Sequence, residues 1–498
     1  MRKSGLIAFA ALFAVFSCAE DPQEPTPTPN PIPEEMTLSA TEFTAVQAGE
    51  TLKLTVSSPT RPKMSGEADW LTFRDGVFKD YKLSFTITVQ GNYTYEARET
   101  TLTVTAEGFE PRSVTVSQAG ITPPTEPGTD DEGWENAASA VRNMGTGWNL
   151  GNTLDANSGS VDNMWIEAYT SRKTSDYETA WGQPVTQRAL IHMFKEAGFG
   201  AIRVPVTWYP HMGTVSVSGA KWNMTTWTGY DVDPEWMARV KEIVGYVLDE
   251  GLYCILNVHH DTGDASTAWL RADPTVYEAN RERYCSLWTQ IATEFADCGQ
   301  KLLFESFNEM LDAKGSWNSG SASALEVINQ YNADFVRTVR ATGGNNLRRN
   351  LVLNTYSASP AATTLAGFKL PEDEVEDHLL AEVHSYSPYR FAFDNDNPQM
   401  NFDSSCENEV KNIIETINTY LVSKSIPCVI GEYGCTSGRT EEERSKQAAC
   451  YVGNAAKYNI ACFYWMTLSD GADRSVPKWT TPALKDAILK AYKDNKNQ

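Results

Sequence analysis

The sequence lacks any excess of basic residues: 42 Lys and Arg stand against 64 Asp and Glu, a formal net charge of −22. A surface of that sign repels phosphate backbones, which argues against nucleic acid as a partner. Beyond its first residues the chain lacks the ~20 unbroken apolar residues that a membrane-crossing helix needs. Histidine is scarce, six in all, and neither a C-x-x-C pair nor an HExxH-like spacing occurs, so no metal centre is expected. No Gly-rich phosphate turn follows the first candidate strand of the long C-terminal region, and no organic cofactor is expected either.

What is present begins with an export signal. Arg2 and Lys3 precede an apolar run from Leu6 to Phe16, long enough for a signal-peptide core and too short to cross a bilayer. Ser17-Cys18 resembles a bacterial lipoprotein cleavage site, and Ala19-Glu20-Asp21 resembles the surface-export signal of Bacteroidetes lipoproteins. The expectation is a signal peptide over 1–17, lipidation at Cys18 and a surface-exposed outer-membrane lipoprotein that meets the membrane through its lipid alone. Plain secretion is the alternative. The other eight of nine cysteines read as buried thiols, since Cys254, Cys428 and Cys462 sit in apolar runs and the spacing proposes no disulfide pairs.

Two proline-rich, acidic stretches divide the rest. Residues 18–35 and 121–133 can form extended spacers but no core. Between them, 36–120 carries runs of period two at Leu52–Val56, Leu83–Val89, Thr101–Thr105 and Ser113–Ser117, which predict a small all-β sandwich. Ala68-Asp69-Trp70-Leu71, the strand pair around Arg98 and the ending Val114 to Gly120 resemble a BACON domain, a family named for a proposed carbohydrate-binding role. With no aromatic triplet to make a platform, a spacer role is favoured.

From 134 to 498 the pattern is α/β. Candidate strands at 144–150, 201–207, 253–259, 302–307, 350–355, 379–384, 427–432 and 460–465 alternate with helical segments, one of which puts Trp236, Val240, Ile243, Val244 and Val247 on one face. Eight such repeats are the count of a (β/α)8 TIM barrel. A doubly wound open sheet is the rival, and it usually carries the phosphate turn that is missing here.

In a barrel, function gathers at the C-terminal ends of the strands. Those ends bring Asn149 and Asn152, Arg203, His259 and His260, Asn308 and Glu309, Tyr356, His384 and Tyr386, Glu432 and Trp465 to one mouth. Two carboxyls beside a cation, imidazoles, amides and an indole suit glycoside cleavage, which needs one carboxyl protonated and one ionised. The plainer reading makes Glu309 and Glu432 ion-pair partners of Arg203. Trp148, Trp181 and Trp208 are divided between core and glycan platform, while Trp165, Trp269, Trp317 and Trp479 fall in loops where sugars could stack.

The motifs Gly147-Trp-Asn-Leu-Gly-Asn152, Arg203-Val-Pro205, Asn257-Val-His-His260, Phe307-Asn308-Glu309, His384-Ser-Tyr386, Gly431-Glu432-Tyr-Gly434 and Tyr464-Trp465 occur in this order. Together they resemble glycoside hydrolase family 5, and Glu178-Thr-Ala-Trp-Gly182 with Pro184-Val-Thr186 looks most like its subfamily 4. The resemblance implies a retaining endo-β-1,4-glycanase acting on a plant β-glucan: cellulose, mixed-linkage glucan or xyloglucan. It implies Glu309 as acid/base and Glu432 as nucleophile, with Arg203 and Tyr386 holding Glu432. Asn149, His259, His260, Asn308, His384 and Trp465 would support or bind the sugar. Met466-Thr-Leu-Ser-Asp470 departs from the family's pattern after that tryptophan. A monomer is expected. The rivals are a β-mannanase or xylanase on the same scaffold, and a surface lipoprotein that captures glycan without cutting it.

Overall fold

The structure is a computed structural model that describes residues 31–46, 49–92, 97–120, 133–169, 173–213, 217–218, 221–222, 230–317, 319–394, 400–465 and 471–496. The expected signal peptide, Cys18, most of both linkers and the 466–470 departure lie outside these residues. The chain divides after Ile121 into two compact units. Among the described residues no helix is long and apolar enough to cross a membrane.

The first unit is a sandwich of two four-stranded sheets. Alternation does the sorting: along Lys82–Val89, Leu83, Phe85, Ile87 and Val89 are buried while the residues between them are not, as a pleated strand with one face on a core requires. Leu54 and Val56, Leu102 and Val104, and Val114 and Val116 complete that core. Arg98 lies opposite Gln118 on the neighbouring strand, donates to its Oε1 from Nε (2.9 Å) and Nη2 (2.7 Å), and has its guanidinium 4.6 Å from the Trp70 ring centroid.

The second unit is a closed barrel of eight parallel strands. In chain order they are Thr146–Asn149, Ala201–Val204, Tyr253–Asn257, Leu302–Glu305, Leu351–Asn354, Leu379–His384, Cys428–Tyr433 and Ala461–Trp465, here called the first to the eighth. Apart from Trp465 their residues are all buried, because helices cover the outside and side chains fill the inside. The second, third and fourth strands stop two or three residues before the apolar runs do. Past those points the backbone keeps single links, His259 N–H to Val206 (2.8 Å) and Asn308 N–H to Val258 (2.8 Å), and turns its side chains toward the mouth. Register shifts fall at Val383/His384 and between Ile430 and Tyr433, re-aiming the strands beside two candidate residues.

The opposite end of the barrel is plugged. The helix Ala137–Met144 starts at Asn136, whose side chain accepts from Ser139 N–H (2.9 Å), a capping bond for an otherwise unpaired donor. Its Ala137, Ala140, Val141 and Met144 form one buried cluster with Ala201, Ile255, Leu303, Val352, Leu380, Val429 and Phe463, drawn from the second to the eighth strand.

Candidate active site

Arg203, on the second strand, organises the mouth. It is wholly buried, and its planar fork meets a partner at every edge. Nε donates to Glu305 Oε2 (2.6 Å) and lies 3.2 Å from Glu382 Oε1; Nη2 donates to Glu305 Oε1 (2.8 Å) and Asn308 Oδ1 (3.0 Å); Nη1 donates to Glu432 Oε1 (2.8 Å) and Asn149 Oδ1 (3.0 Å). Burial alone would drive the guanidinium toward neutrality, but Glu305, Glu382 and Glu432 more than offset it and hold it charged. Bidentate geometry of this kind is specific to arginine.

Glu432 ends in two donors. Arg203 holds Oε1 and the Tyr386 hydroxyl donates to Oε2 at 2.7 Å. Burial, followed by the charges of Glu432 and Glu309, pushes the Tyr386 hydroxyl well above its ordinary range, so it remains a donor. Glu309, on the loop after the fourth strand, is half-buried. One oxygen of each carboxyl and a nitrogen of His384 lie within 4.8 Å of one another. That spacing is closer to the about 5–5.5 Å of a retaining pair of carboxyls than to the about 6.5–9.5 Å of an inverting pair.

His384 lies between the acids, with Nδ1 2.8 Å from Glu309 Oε1 and 3.6 Å from Glu432 Oε2, and Nε2 3.1 Å from Glu382 Oε1. Burial would lower its proton affinity, but Glu432, Glu309 and Glu382 outweigh that and raise it to about 10. His259 behaves in the opposite way. Burial, then the charges of His260, Arg203 and His384, push it well below its ordinary value. Asn257 Nδ2 donates to its Nδ1 (3.0 Å), which leaves the ring proton on Nε2, 4.0 Å from Glu432 Oε1. The Trp465 ring lies parallel to that imidazole, 5.7 Å between centroids at 7°, and the two form one wall beside the carboxyls.

Asn149 braces the barrel. Its Nδ2 donates to Gly431 O (2.8 Å) and Phe463 O (3.2 Å), and its Oδ1 receives Arg203. Asn308 spends its oxygen on Arg203, so the Nδ2 amide is its remaining donor. His260 is half-buried, 5.5 Å from the Trp181 ring and 4.0 Å from Asp155 Oδ2. A cleft of about 970 Å³ runs from Glu309, His384, Tyr386, Glu432 and Trp465 past Trp317, Ser359, Pro360, Tyr389 and Phe393.

One expected mouth residue, Tyr356, turns away from the mouth. Tyr356 is fully buried, and its hydroxyl donates to Ser316 O (2.7 Å), fastening the loop that carries Trp317. Asn152 donates its backbone N–H to Asp155 Oδ2 (3.0 Å) in a tight turn. The divided tryptophans resolve by environment. Trp148 and Trp208 are core, as is Trp269, which packs under Arg283 at 3.8 Å. Trp479 packs on Trp148, Phe194 and Phe199. Trp181 is half-buried and donates to Asn157 O (3.1 Å). Trp317 is 54% exposed in the cleft. None of the eight cysteines after Cys18 is in a disulfide, and five of them are buried.

Sequence reasoning passed over Glu305 and Glu382. Both are acids inside apolar strands and both are fully buried. An acid in the middle of such a run was the available signal, because burial on both faces of a barrel strand leaves an acid nowhere to go without a cation. Burial, opposed by Arg203 and reinforced by Glu382, raises Glu305 to about 7.

Residues 162–471 match the family model described as Cellulase (glycosyl hydrolase family 5), and 61–119 match BACON, described as a putative binding domain, N-terminal. Endoglucanase A of Clostridium longisporum is 35% identical over 373 residues, 72% of this chain and 66% of that protein. Endoglucanase B of Ruminococcus albus is 34% identical over 72% of this chain and 81% of its own length. Among solved structures, a family 5 glycoside hydrolase from Prevotella bryantii B14, in complex with a xyloglucan tetradecasaccharide, aligns at 41% identity and a TM-score of 0.63 over 72% of this chain and 99% of that one. A Bacteroides ovatus xyloglucanase with a bound heptasaccharide aligns at 25% identity and a TM-score of 0.63, covering 92% of this chain and 100% of its own.

Proposed function

The chain belongs to the cellulases of glycosyl hydrolase family 5, and from that premise we propose that Glu432 and Glu309 cut internal β-1,4 bonds of a plant glucan by double displacement. The observation that carries the reading is the pairing itself: two carboxyls from the seventh strand and the loop after the fourth, with oxygens within 4.8 Å of each other, one held by a buried arginine. The endoglucanase and xyloglucan-bound relatives within this retaining family support endo-acting hydrolysis of a β-glucan.

In the first step an oxygen of Glu432 bonds to the anomeric carbon as the glycosidic C–O bond breaks, and Glu309 gives its proton to the departing oxygen. Arg203 and Tyr386 hold Glu432 aimed at that carbon. In the second step Glu309, now a carboxylate, takes a proton from water, whose oxygen attacks the same carbon and frees Glu432. Asn308 offers its amide to the sugar hydroxyl next to the reacting carbon, where a hydrogen bond strengthens as the transition state forms. Trp465 supplies an apolar face for the sugar ring.

Xyloglucan is the favoured substrate, ahead of mixed-linkage glucan and cellulose. The xyloglucan-bound relatives support this, as does an open cleft that offers Trp317, Tyr389 and Phe393 to solvent. The protein acts as a monomer on the cell surface, anchored by lipid at Cys18, and the sandwich serves as a spacer. Xyloglucan, mixed-linkage glucan, xylan and mannan, each incubated with wild type and Glu432→Gln and followed by product length, test the reading. It stands if wild type shortens a β-glucan to mid-sized oligosaccharides and Glu432→Gln does not. Binding of glucan by both proteins with cleavage by neither would replace it with the capture reading. Labelled-palmitate incorporation that disappears in Cys18→Ala tests the anchor.

A further inference from the structure

The double displacement leaves two buried acids beside Arg203 without a step of their own, Glu305 and Glu382, and Glu382 is the one that reaches His384. Glu382 lies two residues before His384 on the sixth strand, and its Oε1 takes both His384 Nε2 (3.1 Å) and Arg203 Nε (3.2 Å). At its other ring nitrogen His384 faces Glu309 Oε1 at 2.8 Å. An imidazole between two carboxyl oxygens satisfies both in one of two ways: with protons on both nitrogens, or as a neutral ring that accepts the Glu309 proton at Nδ1.

The geometry points to Glu382 as a positioning residue that acts through His384: by accepting the Nε2 proton it holds the ring as an imidazolium, whose Nδ1–H occupies Oε1 of Glu309 and leaves the acid proton on Oε2. This rests on the reading of Glu309 as the acid. A neutral ring with its proton on Nε2 would present a lone pair at Nδ1 instead. It would draw the Glu309 proton onto Oε1, turned away from the glycosidic oxygen. The imidazolium also suits the charge movement of the first step. Negative charge begins on Glu432, which becomes an ester, and ends on Glu309, which has lost its proton; His384 lies 3.6 Å from the one and 2.8 Å from the other. Its positive charge therefore stays beside the negative one throughout.

The surroundings fit this role. Around Glu382 stand Arg203 from the second strand, Glu305 from the fourth and Cys428 from the seventh. Around His384 stand Glu309, Glu432, Tyr386 and the neutral His259. Gly431, on the adjacent strand, makes the space. A Cβ there would overlap the Glu382 carboxylate, so the missing side chain is what lets the acid reach the ring.

Glu382→Gln keeps the size and an acceptor oxygen but removes the charge. The comparison is kcat/KM, which reads the first step, on cellotetraose and on an aryl cellobioside whose dinitrophenolate leaves without protonation. For cellotetraose the value should fall about 100-fold, the scale of lost acid catalysis, and for the aryl substrate less than about 3-fold. Equal losses on both substrates, or no loss on either, would overturn the assignment. If the variant does not fold, nitrogen-15 spectra of histidine-labelled wild type decide: His384 should keep both ring protons to about pH 8, and a single-proton tautomer at pH 6 overturns it. Wild type that cuts neither substrate, or Glu309→Ala that still cuts cellotetraose, would overturn the functional reading instead.

Discussion

Replacing Gly431 with alanine adds one methyl group next to the proposed nucleophile, and the structure says where it goes. Gly431 does not take the left-handed backbone region, so alanine meets no backbone strain and the whole effect is steric. The new Cβ would overlap the Glu382 carboxylate, which is fully buried and must leave its contacts with His384 (3.1 Å) and Arg203 (3.2 Å). Breaking a buried charge pair is worth about 3–5 kcal/mol, and overpacking adds about 1–3. A loss of about 4–8 kcal/mol is expected, a fall in melting temperature of about 5–10 °C for a domain of this size. The assay is calorimetric melting of four proteins: wild type, Gly431→Ala, Glu382→Ala and the double variant. If the overlap with Glu382 is the cause, alanine at 431 should cost less than about 1 kcal/mol once residue 382 is small. The same loss in both backgrounds would refute the reasoning, as would an unchanged melting point for the single variant.

Other outcomes follow from the same geometry. Glu432→Gln should lower kcat on β-glucan by about 1,000-fold or more, as removal of a nucleophile does, with binding by affinity electrophoresis retained; turnover within 10-fold of wild type would remove Glu432 from the chemistry. Trp317→Ala, at an exposed ring, should leave the melting point within about 1 °C and weaken binding of long glucans about 5- to 10-fold, the worth of one aromatic contact; unchanged affinity would place the sugar path elsewhere. Stability should decline on the alkaline side. His384, raised from 6.5 to about 10, stabilises the fold fully below pH 6.5 and loses that contribution as pH rises through 10, while Glu305, raised from 4.5 to about 7, subtracts stability as pH climbs between those values. A melting temperature that rises from pH 6 to pH 10 would contradict both signs. With none of the cysteines after Cys18 in a disulfide, dithiothreitol should leave the melting curve unchanged, and a lowered melting point would point to a disulfide.

The barrel was legible because each strand is buried on both faces and so appears as an unbroken apolar run, with its functional residue where the run stops. Glu309, His384, Tyr386 and Glu432 stand at or just past such ends while Arg203 lies within its run, and the structure bonds Arg203 and Tyr386 to Glu432 and His384 to Glu309. Glu305 and Glu382 were not legible, because an acid within a strand gives no hint in one dimension of which cation it meets across the barrel. Tyr356 shows the opposite failure. It follows a strand end as the others do, but a left-handed turn at Ser357 and Ala358 (φ 50° and 49°) comes straight after it, and its hydroxyl goes to a neighbouring loop rather than into the mouth. Tryptophans were the least legible, since an indole fills a core as readily as it lines a cleft.

The helix that plugs the barrel bears on where the catalytic domain can be cut. The matched family segment begins at residue 162, after both the plug and the first strand. A fragment started there would open the sheet along two strands, and even one started at Thr146 would uncover Ile255, Leu303, Val352, Leu380 and Val429 at the barrel floor. Such a ring of bare aliphatic side chains is an aggregation site. An excised enzyme that stays in solution therefore has to begin ahead of Asn136, so that the eight residues of the plug and the asparagine that caps them travel with the barrel they close.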